Sequence, residues 1–461
     1  MKVVIVGGGI AGLSLACLIK NLCKSIQIVH KASSINRSSI GLWSLGAKIL
    51  SKCNIIDPKK DLCYVKKTSY RTQSGYTLAS PSFASLDGLL HDNSNISTPL
   101  KEPSLGFLTE EFLLNKLNNN MKSNNNINIE YSEINSINTD AKTIITTSKD
   151  DANNKIEIES SYDLLVVADG MYSPTRSLIW KNISSSSFLN DRGYIVYRGT
   201  SPRLVNNQEG FQTWGPGRRF AVVPSVNNTN AWYAAVSTHL IKSFALHPLE
   251  NSDMTGKKDG IECSKDDLFE LATLFYDWHD PISSLISESV GPVTRTIAKA
   301  SPTPYSLFSY DNSNSYSSLL SSYDNVVCIG DAYHTLDPIL AQGTGVAIED
   351  AAHLVECLKY YGLRLNKDDG GIGQDEEVYH KIIADALKLF QEQRRNRVNR
   401  LHFLSDAAQI VGHIDSPLLC NVRNFKLSLV FDSVTSFFFD KAIMASLGGR
   451  IWPNNANSNT I

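Results

Sequence analysis

The amino-acid sequence predicts an α/β fold in which a mostly parallel sheet is combined with an inserted antiparallel sheet and a helical C-terminal segment. Three observations support this prediction. The apolar strand Lys2–Val6 precedes a helical pattern at Ala11–Leu22 and a second strand at Ile26–Val29, which together form a βαβ unit. Segments between residues 193 and 238 alternate in polarity or are rich in β-forming residues, as antiparallel strands are. Residues 376–411 follow a helical pattern.

Composition limits the classes of function. The chain has 461 residues, of which 42% are apolar and 20% charged, and its formal charge of −2 gives no electrostatic reason to expect a nucleic acid as partner. Its eight cysteines form no CxxC pair and have no histidine cluster near them, so we expect neither a metal site nor a disulfide framework. Reduced thiols indicate a cytoplasmic location.

Neither end of the sequence has the pattern of a transmembrane segment. The N-terminal strand is too short for a secretory signal and lacks a small-residue cleavage site. Charged residues interrupt the Phe- and Leu-rich segment Leu427–Leu447, which predicts a packed amphipathic helix rather than a spanning one. A peripheral contact of this helix with a membrane surface is the alternative.

The first glycine motif lies between the first strand and the first helix. Gly7 permits a tight turn, Gly9 lets the backbone approach a pyrophosphate, and Gly12 lets the helix pack closely on the strand. The phosphates would then lie at the positive end of the helix. By itself, the motif predicts a dinucleotide, either NAD or FAD.

The acidic residue that would bind the ribose of such a nucleotide, roughly 20 positions further on, is missing. The second strand ends instead at Val29 and His30. His30 either hydrogen-bonds a ribose hydroxyl or is only a surface residue after a strand. Losing a charge-assisted hydrogen bond costs about 1.5–3 kcal/mol, so we expect the nucleotide to be retained less tightly.

The second glycine motif follows the buried strand Asp163–Ala168. Asp169 and Gly170 come directly after the strand, and Arg176 follows six residues beyond the glycine. Asp169 can accept hydrogen bonds where the sheet ends, and Arg176 can hold a phosphate or cap a helix. An ordinary turn after a strand explains this motif equally well.

The third motif is the most informative. After the strand Asn325–Ile329, Asp331 stands where its carboxylate can bind a polyol chain, and Pro338 forms a rigid bend. Gly343 and Gly345 then open a helix whose N-terminus can face an anion. A structural loop would not require all of these features together.

In combination, the three motifs resemble those of the class A flavoprotein monooxygenases with the aromatic-hydroxylase fold, such as salicylate hydroxylase and zeaxanthin epoxidase. The likeness extends from Lys2 to the region of Ser416 and preserves the family's order and spacing. It implies a Rossmann-like domain that binds FAD. The residues that the resemblance assigns to the parts of FAD are Gly7, Gly9 and Gly12 for the ADP moiety, Asp169 and Arg176 for the pyrophosphate and NAD(P)H, Asp331 for the ribityl chain, and Gly343, Thr344 and Gly345 for the pyrimidine edge of the ring.

Shorter segments agree with this resemblance. Gly41, within Ile40–Trp43, resembles the family's segment that passes beside FAD, and Pro338 would line the face of the ring where oxygen reacts. Arg198, within Tyr197–Gly199, resembles an arginine of the substrate domain that is treated as catalytic in some fungal relatives. A solvent-facing strand residue is the alternative for Arg198.

Two positions depart from the family pattern. His30 replaces the acidic residue at the end of the second strand, and Thr109 stands where relatives carry an arginine that contacts FAD. Thr109 offers a hydroxyl group but no charge. Both changes predict weaker binding on the nucleotide side of the cofactor.

The resemblance also implies how the chain divides. We expect a discontinuous FAD-binding domain of residues 1–63, 100–180 and 300–375. The substrate domain would comprise residues 64–99 and 181–299. Residues 376–461 would form C-terminal helices and a disordered tail. Four aromatic residues of the substrate domain either wall an apolar pocket or belong to the core: Trp214, Phe220, Trp232 and Tyr233.

The implied function is that of an oxidoreductase. The protein would be an FAD-dependent monooxygenase, monomeric or homodimeric, that uses NADPH or NADH and O2 to hydroxylate or epoxidise a small aromatic or isoprenoid-like substrate, with Arg198 and Pro338 at the catalytic centre. One alternative is a flavin-dependent reductase on the same scaffold; the Trp-x-Trp-x-Ile-Pro segment of halogenases does not occur in the sequence. The other is a degenerate, weakly FAD-binding protein without catalysis.

Overall fold

The fold is that of a computed structural model, which describes residues 1–31, 38–80, 105–122, 124–149, 155–180, 188–202, 205, 209–243, 260–301, 323–361 and 376–430. The strands within this part of the chain are β1 (Lys2–Val6), β2 (Ser25–His30), β3 (Ser39–Trp43), β4 (Cys63–Tyr64), β5 (Lys67–Thr72), β6 (Thr77–Ala79), β7 (Leu105–Thr109), β8 (Ile127–Tyr131), β9 (Glu133–Asn138), β10 (Thr143–Lys149), β11 (Lys155–Ser161), β12 (Leu164–Val167), β13 (Asn190–Pro202), β14 (Glu209–Gly215), β15 (Arg218–Ser225), β16 (Thr229–Ser237), β17 (Ile261–Glu262), β18 (Thr294–Ala300) and β19 (Val326–Cys328).

The helices of the same part of the chain are α1 (Ile10–Ile19), α2 (Ser44–Lys52), α3 (Pro58–Asp61), α4 (Glu110–Met121), α5 (Pro174–Ile179), α6 (Thr238–Ser243), α7 (Lys265–Leu274), α8 (Ile282–Ser287), α9 (Gly343–Tyr360), α10 (Glu376–Gly412) and α11 (Pro417–Val430). Short 3-10 turns occur at Lys20–Leu22, Gly330–Ala332 and Pro338–Leu340.

A five-stranded parallel sheet forms the first layer. Its strand order is β19-β12-β1-β2-β8, so the chain moves outward in one direction from β1 and later returns to add β12 and β19 on the other side. The central strands β1 and β12 and the neighbouring β19 are runs of Val, Ile and Leu because both faces of the sheet are covered there, whereas the edge strand β8 is partly exposed. The order reverses between β1 and β12, and a crevice at such a point is where ligands bind in open α/β sheets.

Helices and a small sheet cover the two faces of the parallel sheet. On one face, α1, α4 and α9 bury a large apolar cluster, against which α10 also packs. On the other face lies the antiparallel sheet β9-β10-β11, which contributes Ile144 to the core there. The buried glycine contact between Gly12 and the β1 turn lets α1 lie close to the sheet.

The second large element is an eight-stranded sheet of order β17-β18-β13-β16-β15-β14-β5-β6, which is antiparallel except for the β14–β5 pair. Side chains alternate between its two faces along each strand. One face packs on α7 and α8, with Phe220 and Trp232 in that core. The opposite face carries Tyr194, Arg198 and Tyr233 and turns toward β3 and the Pro338 turn.

These elements confirm the predicted fold class: a mostly parallel sheet with its βαβ unit, antiparallel sheets and C-terminal helices. The helix expected at residues 376–411 is α10. The segment Leu427–Leu447 enters α11 and, from residue 431, lies outside the described residues. Among the described helices, none combines the length and apolar composition needed to cross a membrane.

Candidate functional site

The three glycine motifs lie side by side at the carboxyl edge of the parallel sheet. The ladder hydrogen bonds continue just past the strands, because Ala168 N donates to Val6 O at 2.7 Å and Ile329 N donates to Val167 O at 3.0 Å. The turns that begin at Gly7, Asp169 and Gly330 are therefore neighbours. This is the convergence on one crevice that a single dinucleotide site requires.

The glycines of the first motif differ in why a glycine is needed at each position. Gly7 has φ +114°, and a Cβ atom there would overlap the Ala168 carbonyl. A Cβ on Gly12 would overlap the carbonyl of Gly7, so both glycines are required by the fold. A Cβ on Gly9, in contrast, would meet no atom of the described chain within 4 Å. The space in front of Gly9 is open.

Two helix N-termini point to this edge without a side-chain cap. Helix α1 begins after Gly9 and α9 after Gln342, and neither has a side-chain cap or an acidic residue in its first turn. The first N–H groups of a helix need acceptors, and the helix dipole makes them attractive to anions. Both termini are therefore suited to a phosphate or another negatively charged group.

The third motif brings its predicted residues together at the start of α9. A Cβ on Gly343 would lie 4.0 Å from Asp331 Oδ1, so the carboxylate stands beside the helix terminus. Strand β3 passes the same point, since a Cβ on Gly41 would lie 3.1 Å from the Ala341 side chain. Helix α2 follows, with its Gly46 close to the backbone of Gly345. Thr344 lies in the first turn of α9 and is partly exposed.

Pro338 begins a short 3-10 turn between the strand end and α9. Asp337 caps this turn by accepting a 2.9 Å hydrogen bond from Ile339 N. Asp337 is buried and also accepts hydrogen bonds from Tyr194 Oη at 2.5 Å and from Arg192 Nε at 2.9 Å. The bend at Pro338 is thereby tied to strand β13.

His30 contacts the glycine turn directly. Its Nδ1 accepts a 3.1 Å hydrogen bond from Gly8 N, and its ring covers the place where a Cβ of Gly8 would be. Burial lowers the pKa of His30, so the neutral ring that can accept this hydrogen bond is favoured. The imidazole thus stands at the strand end where the acidic residue of the family would be.

In the second motif, aspartate and arginine have different environments. Asp169 accepts a hydrogen bond from Thr175 N through Oδ2, while its buried Oδ1 has no partner among the described residues. Burial raises the pKa of Asp169. Arg176 is fully buried and donates to Ala332 O at 2.8 Å and to Met171 O at 2.9 Å. Its guanidinium therefore joins the second turn to the third.

Thr109 is the N-cap of α4. Its hydroxyl accepts a hydrogen bond from Phe112 N at 3.2 Å, and Glu110 and Glu111 follow in the first turn of the helix. Acidic residues are favourable at this end of a helix. Helix capping accounts for the sequence at Thr109, and its contact with a cofactor stays a prediction.

Arg198 and Tyr233 are paired across β13 and β16 on the face turned toward the glycine motifs. Arg198 is half-buried and donates to Thr296 Oγ1 at 2.5 Å, and burial lowers the pKa of its guanidinium. Tyr233 donates to the carbonyl of Ser39, and burial raises its pKa to about 12. Neither residue is a solvent-facing strand position.

The four aromatic residues of this sheet separate by face. Phe220 and Trp232 belong to the core under α7 and α8. Tyr233 and Trp214 lie on the opposite face, where Trp214 contacts Tyr70 and α11. Phe220 and Trp232 therefore belong to the core, which was one of the two interpretations of these four aromatic residues; the other was the wall of an apolar pocket.

A buried ionic network behind the third motif was not predicted from the sequence. Asp350 accepts hydrogen bonds from Gly330 N at 2.8 Å, His334 Nε2 at 2.7 Å and Arg394 Nε at 2.7 Å. Arg394 also bonds Glu349. These partners lower the pKa of Asp350 to about 2. In the sequence, the adjacent acidic residues Glu349 and Asp350 of α9 and the arginines of α10 are the features from which this network could have been predicted.

The residues at this edge fit FAD. The open space at Gly9, the uncapped helix termini and the unpartnered Asp169 Oδ1 are all suited to a polyanionic nucleotide. The side-chain amide of Gln342, next to the start of α9, is buried with neither polar atom bonded within the described chain. Buried polar groups are ordinarily hydrogen-bonded, so this amide also indicates a ligand. Among the described residues, no group of three or more His, Cys, Asp or Glu side chains could hold a metal ion.

Comparisons with known proteins relate the chain to flavin-dependent monooxygenases. Profiles of known protein families give no match. The aurachin C monooxygenase/isomerase of Stigmatella aurantiaca is 29% identical over 247 residues, which are 49% of this chain and 55% of that enzyme. The FAD-dependent monooxygenase spyC of Aspergillus fumigatus is 23% identical over 87% of this chain and 77% of its own length, and atmM of Aspergillus flavus is 24% identical over 87% and 76%.

Solved structures share the architecture. HpxO of Klebsiella pneumoniae, determined with FAD and uric acid, superposes with a TM-score of 0.70 at 18% identity and covers 97% of this chain and 96% of its own. The 2,6-dihydroxypyridine-3-hydroxylase of Arthrobacter nicotinovorans gives 0.63 at 13% identity, with 89% and 93% covered. The chain is thus a homologue of the FAD-dependent monooxygenases and has the fold of the class A flavin hydroxylases, as its three glycine motifs predicted.

Proposed function

We propose that this protein is an FAD-dependent monooxygenase that uses NADPH or NADH and O2 to hydroxylate or epoxidise a small aromatic or isoprenoid-like substrate. The observation that carries the proposal is the meeting of three glycine-containing turns and two uncapped helix N-termini at one sheet edge. The homology to FAD-dependent monooxygenases supports it.

Different residues would hold the different parts of FAD. Gly7, Gly9 and Gly12 would receive the pyrophosphate and ADP moiety at the N-terminus of α1, with His30 beside the ribose. Asp331 would bind the ribityl chain. When bound, FAD supplies the hydride acceptor and the ring that activates oxygen, and the protein supplies position and electrostatic field.

Helix α9 would act on the ring electrostatically. Its N-terminus carries roughly half a positive charge and has no acidic residue in its first turn to neutralise it. The backbone of Gly343, Thr344 and Gly345 would face the pyrimidine edge and stabilise negative charge there. Pro338 and the turn that it begins would border the reacting face and keep water from it.

The substrate would lie on the sheet face that carries Arg198 and Tyr233. Within the described chain Arg198 donates to one hydroxyl, that of Thr296, so other donor groups of its guanidinium can bond a substrate oxygen. Arg198 would orient an electron-rich substrate by these hydrogen bonds. In the second motif, Asp169 Oδ1 and Arg176 Nε are buried without a hydrogen-bond partner in the described chain, and the other two nitrogens of the Arg176 guanidinium are bonded to carbonyls.

The test begins with the visible spectrum of the purified protein, before and after incubation with FAD. NADPH and NADH oxidation are then measured together with O2 consumption against aromatic and terpenoid compounds. A monooxygenase consumes O2 in proportion to coenzyme when substrate is present and forms an oxygenated product. Coenzyme oxidation without matching O2 uptake supports the reductase, and a protein that stays colourless with excess FAD supports the non-catalytic alternative.

A further inference from the structure

Helix α10 carries a largely buried stripe of polar side chains. Arg394, His402, Ser405 and Gln409 follow one another at intervals of eight, three and four residues, which places them on one face of the helix. At one end of the stripe Arg394 joins the ionic network behind the third motif, and at the other Gln409 donates to a backbone carbonyl of β13. The helix also packs on the Pro338 turn. The stripe therefore lies near the turn that would border the reacting face.

Three polar atoms at the middle of this stripe have no hydrogen-bond partner among the described residues. They are Nε2 of His402, Oγ of Ser405 and Nδ1 of His334 in the third motif, and the three side chains are at most 2% exposed. Burial, and then the nearby His334 and Arg192, lower the pKa of His402 to about 3, so His402 is neutral and close to His334. Buried polar atoms are ordinarily hydrogen-bonded, and where no protein group reaches them an ordered water molecule does.

The stripe reaches solvent at the ion pair between Asp406 and Arg192. Asp406 lies one turn of α10 beyond His402, and its side chain is 43% exposed. Its Oδ1 accepts a 2.6 Å hydrogen bond from Arg192 Nη2. Arg192, which also binds Asp337, faces His402 from this surface end, and His334 faces it from the interior end. A carboxylate in contact with water therefore stands at one end of a buried row of hydroxyl and imidazole groups.

The proposed reaction consumes one proton from solvent in each turnover. Substrate, O2, NAD(P)H and a proton become the oxygenated product, water and NAD(P)+. The Pro338 turn would keep bulk water from the reacting face, so this proton needs a route through the protein. Hydroxyl and imidazole groups that are joined by water molecules can pass protons along their hydrogen bonds, because each group can both accept and donate.

We propose that Ser405, His402 and His334, bridged by water molecules, carry this proton from the Asp406 carboxylate at the surface to the third motif. Each group accepts one proton and releases one, so no net charge stays in the chain after a turnover. His334 would receive the proton at Nδ1, because the Asp350 carboxylate, 2.7 Å from its Nε2, stabilises the positive charge of the ring. The inference rests on the proposed function and names the proton route for that site.

The first test is a high-resolution crystal structure of the FAD-treated protein. We expect ordered water molecules within hydrogen-bond distance of His402 Nε2, Ser405 Oγ and His334 Nδ1 that form one continuous chain to Asp406. A gap that neither a water molecule nor a side chain fills would overturn the proposal. A protein that binds FAD but lacks the chain contradicts the proton route alone, whereas a protein that takes up no FAD contradicts the proposed function.

The second test follows the reoxidation by O2 of the FAD-loaded, dithionite-reduced protein, which requires neither substrate nor coenzyme. Anionic reduced flavin, O2 and one proton yield oxidised flavin and hydrogen peroxide. His402→Ala should slow this reoxidation about tenfold or more and enlarge its solvent isotope effect in D2O. Added imidazole should restore the rate, because it fits the space of the missing side chain. Ser405→Ala should act in the same direction, and it keeps the proposal testable if His402→Ala does not fold.

The control is His353→Ala, which removes another buried histidine that contacts α10. His353 bonds Gln393, nine residues before His402 and hence on the opposite side of the helix, and burial lowers its pKa to about 4. At saturating FAD this variant should keep the rate and the isotope effect of the wild type and should not respond to imidazole. Equal slowing by His353→Ala and His402→Ala, a wild-type rate and isotope effect in His402→Ala and Ser405→Ala, or a failure of imidazole to restore the rate would each overturn the proposal.

Discussion

Tyr194 donates a 2.5 Å hydrogen bond to Oδ1 of Asp337, a residue 143 positions away in the sequence and directly before Pro338. The same carboxylate accepts from Arg192 and caps the 3-10 turn of Pro338. Strand β13, which carries Arg198 four residues after Tyr194, is thereby fixed to the bend that would border the flavin ring. The buried carboxylate of Asp337 thus links strand β13 to the Pro338 turn, between the proposed substrate side and the proposed cofactor side.

We expect Tyr194→Phe to remove the hydrogen bond to Asp337 while keeping the aromatic ring in the core. Removing a hydrogen bond to a charged group should lower the free energy of unfolding by about 1.5–3 kcal/mol. With Pro338 held less firmly, a larger share of the NAD(P)H oxidised should yield peroxide instead of product. Urea denaturation and the ratio of peroxide to coenzyme consumed test this. Tyr76→Phe, at a 66% exposed position, is the control and should change neither quantity; an unaltered ratio in Tyr194→Phe would contradict the linking role.

The glycines of the first motif allow a paired test of the nucleotide site. A Cβ at Gly12 overlaps the Gly7 carbonyl, so Gly12→Ala should destabilise the fold by about 1–3 kcal/mol or more. A Cβ at Gly9 meets open space, so Gly9→Ala should keep the melting temperature of the FAD-free protein. Its methyl group would, however, occupy the position of the pyrophosphate. FAD affinity, measured by flavin fluorescence, should fall at least tenfold in Gly9→Ala, and unchanged affinity would place the nucleotide elsewhere.

The glycine motifs could be predicted because their signal is local. Turn, close approach and helix start are encoded within six residues at Gly7–Gly12, and the order of three such motifs predicted the family and the fold class. The side-chain partners could not be predicted in this way. Arg176 bonds the carbonyl of Ala332, 156 residues away, and such contacts between distant segments leave no periodic pattern.

The aromatic residues of the large sheet also show that contacts between distant segments could not be predicted from the sequence. Strand alternation implies that Trp232 and Tyr233 face opposite sides. It does not say which side is covered by α7 and α8 and which side turns toward the three glycine motifs. Likewise, an aspartate before Pro338 predicts a cap for a short turn. Its bonds to Tyr194 and Arg192 depend on how the sheet packs on that turn.

His30 should respond to substitution by an acidic residue. A glutamate at this position can accept the Gly8 N–H group and in addition a ribose hydroxyl, as a charge-assisted hydrogen bond. His30→Glu should therefore tighten FAD binding by about 1.5–3 kcal/mol, roughly ten- to a hundredfold. His30→Gln keeps a neutral acceptor for Gly8 N and should bind FAD like the wild type. Equal or weaker FAD binding by His30→Glu would show that the strand end does not contact the ribose.

Asp350 should be important for stability. It is buried and accepts hydrogen bonds from Gly330 N, His334 and Arg394. Asp350→Asn removes the charge that balances Arg394 and should lower the free energy of unfolding by about 3–5 kcal/mol. The comparison is Lys359→Met, which removes a partly exposed ion pair with Glu356 and should cost less than about 1 kcal/mol. Similar urea midpoints for the two variants would refute the structural importance of the network.

Three buried histidines predict that the protein loses stability in mild acid. Burial lowers the pKa of His353 to about 4, of His402 to about 3 and of His413 to about 2, each below the ordinary histidine pKa of 6.5. Below pH 6.5 the unfolded chain therefore binds more protons than the folded one, so the free energy of unfolding falls as the pH decreases toward these values. The slope is about 1.4 kcal/mol per pH unit for each histidine, and it vanishes above pH 6.5. Urea unfolding at a series of pH values tests this: His402→Leu should reduce the slope by one histidine's share, and a slope that the substitution leaves unchanged would mean that His402 is already protonated in the folded protein.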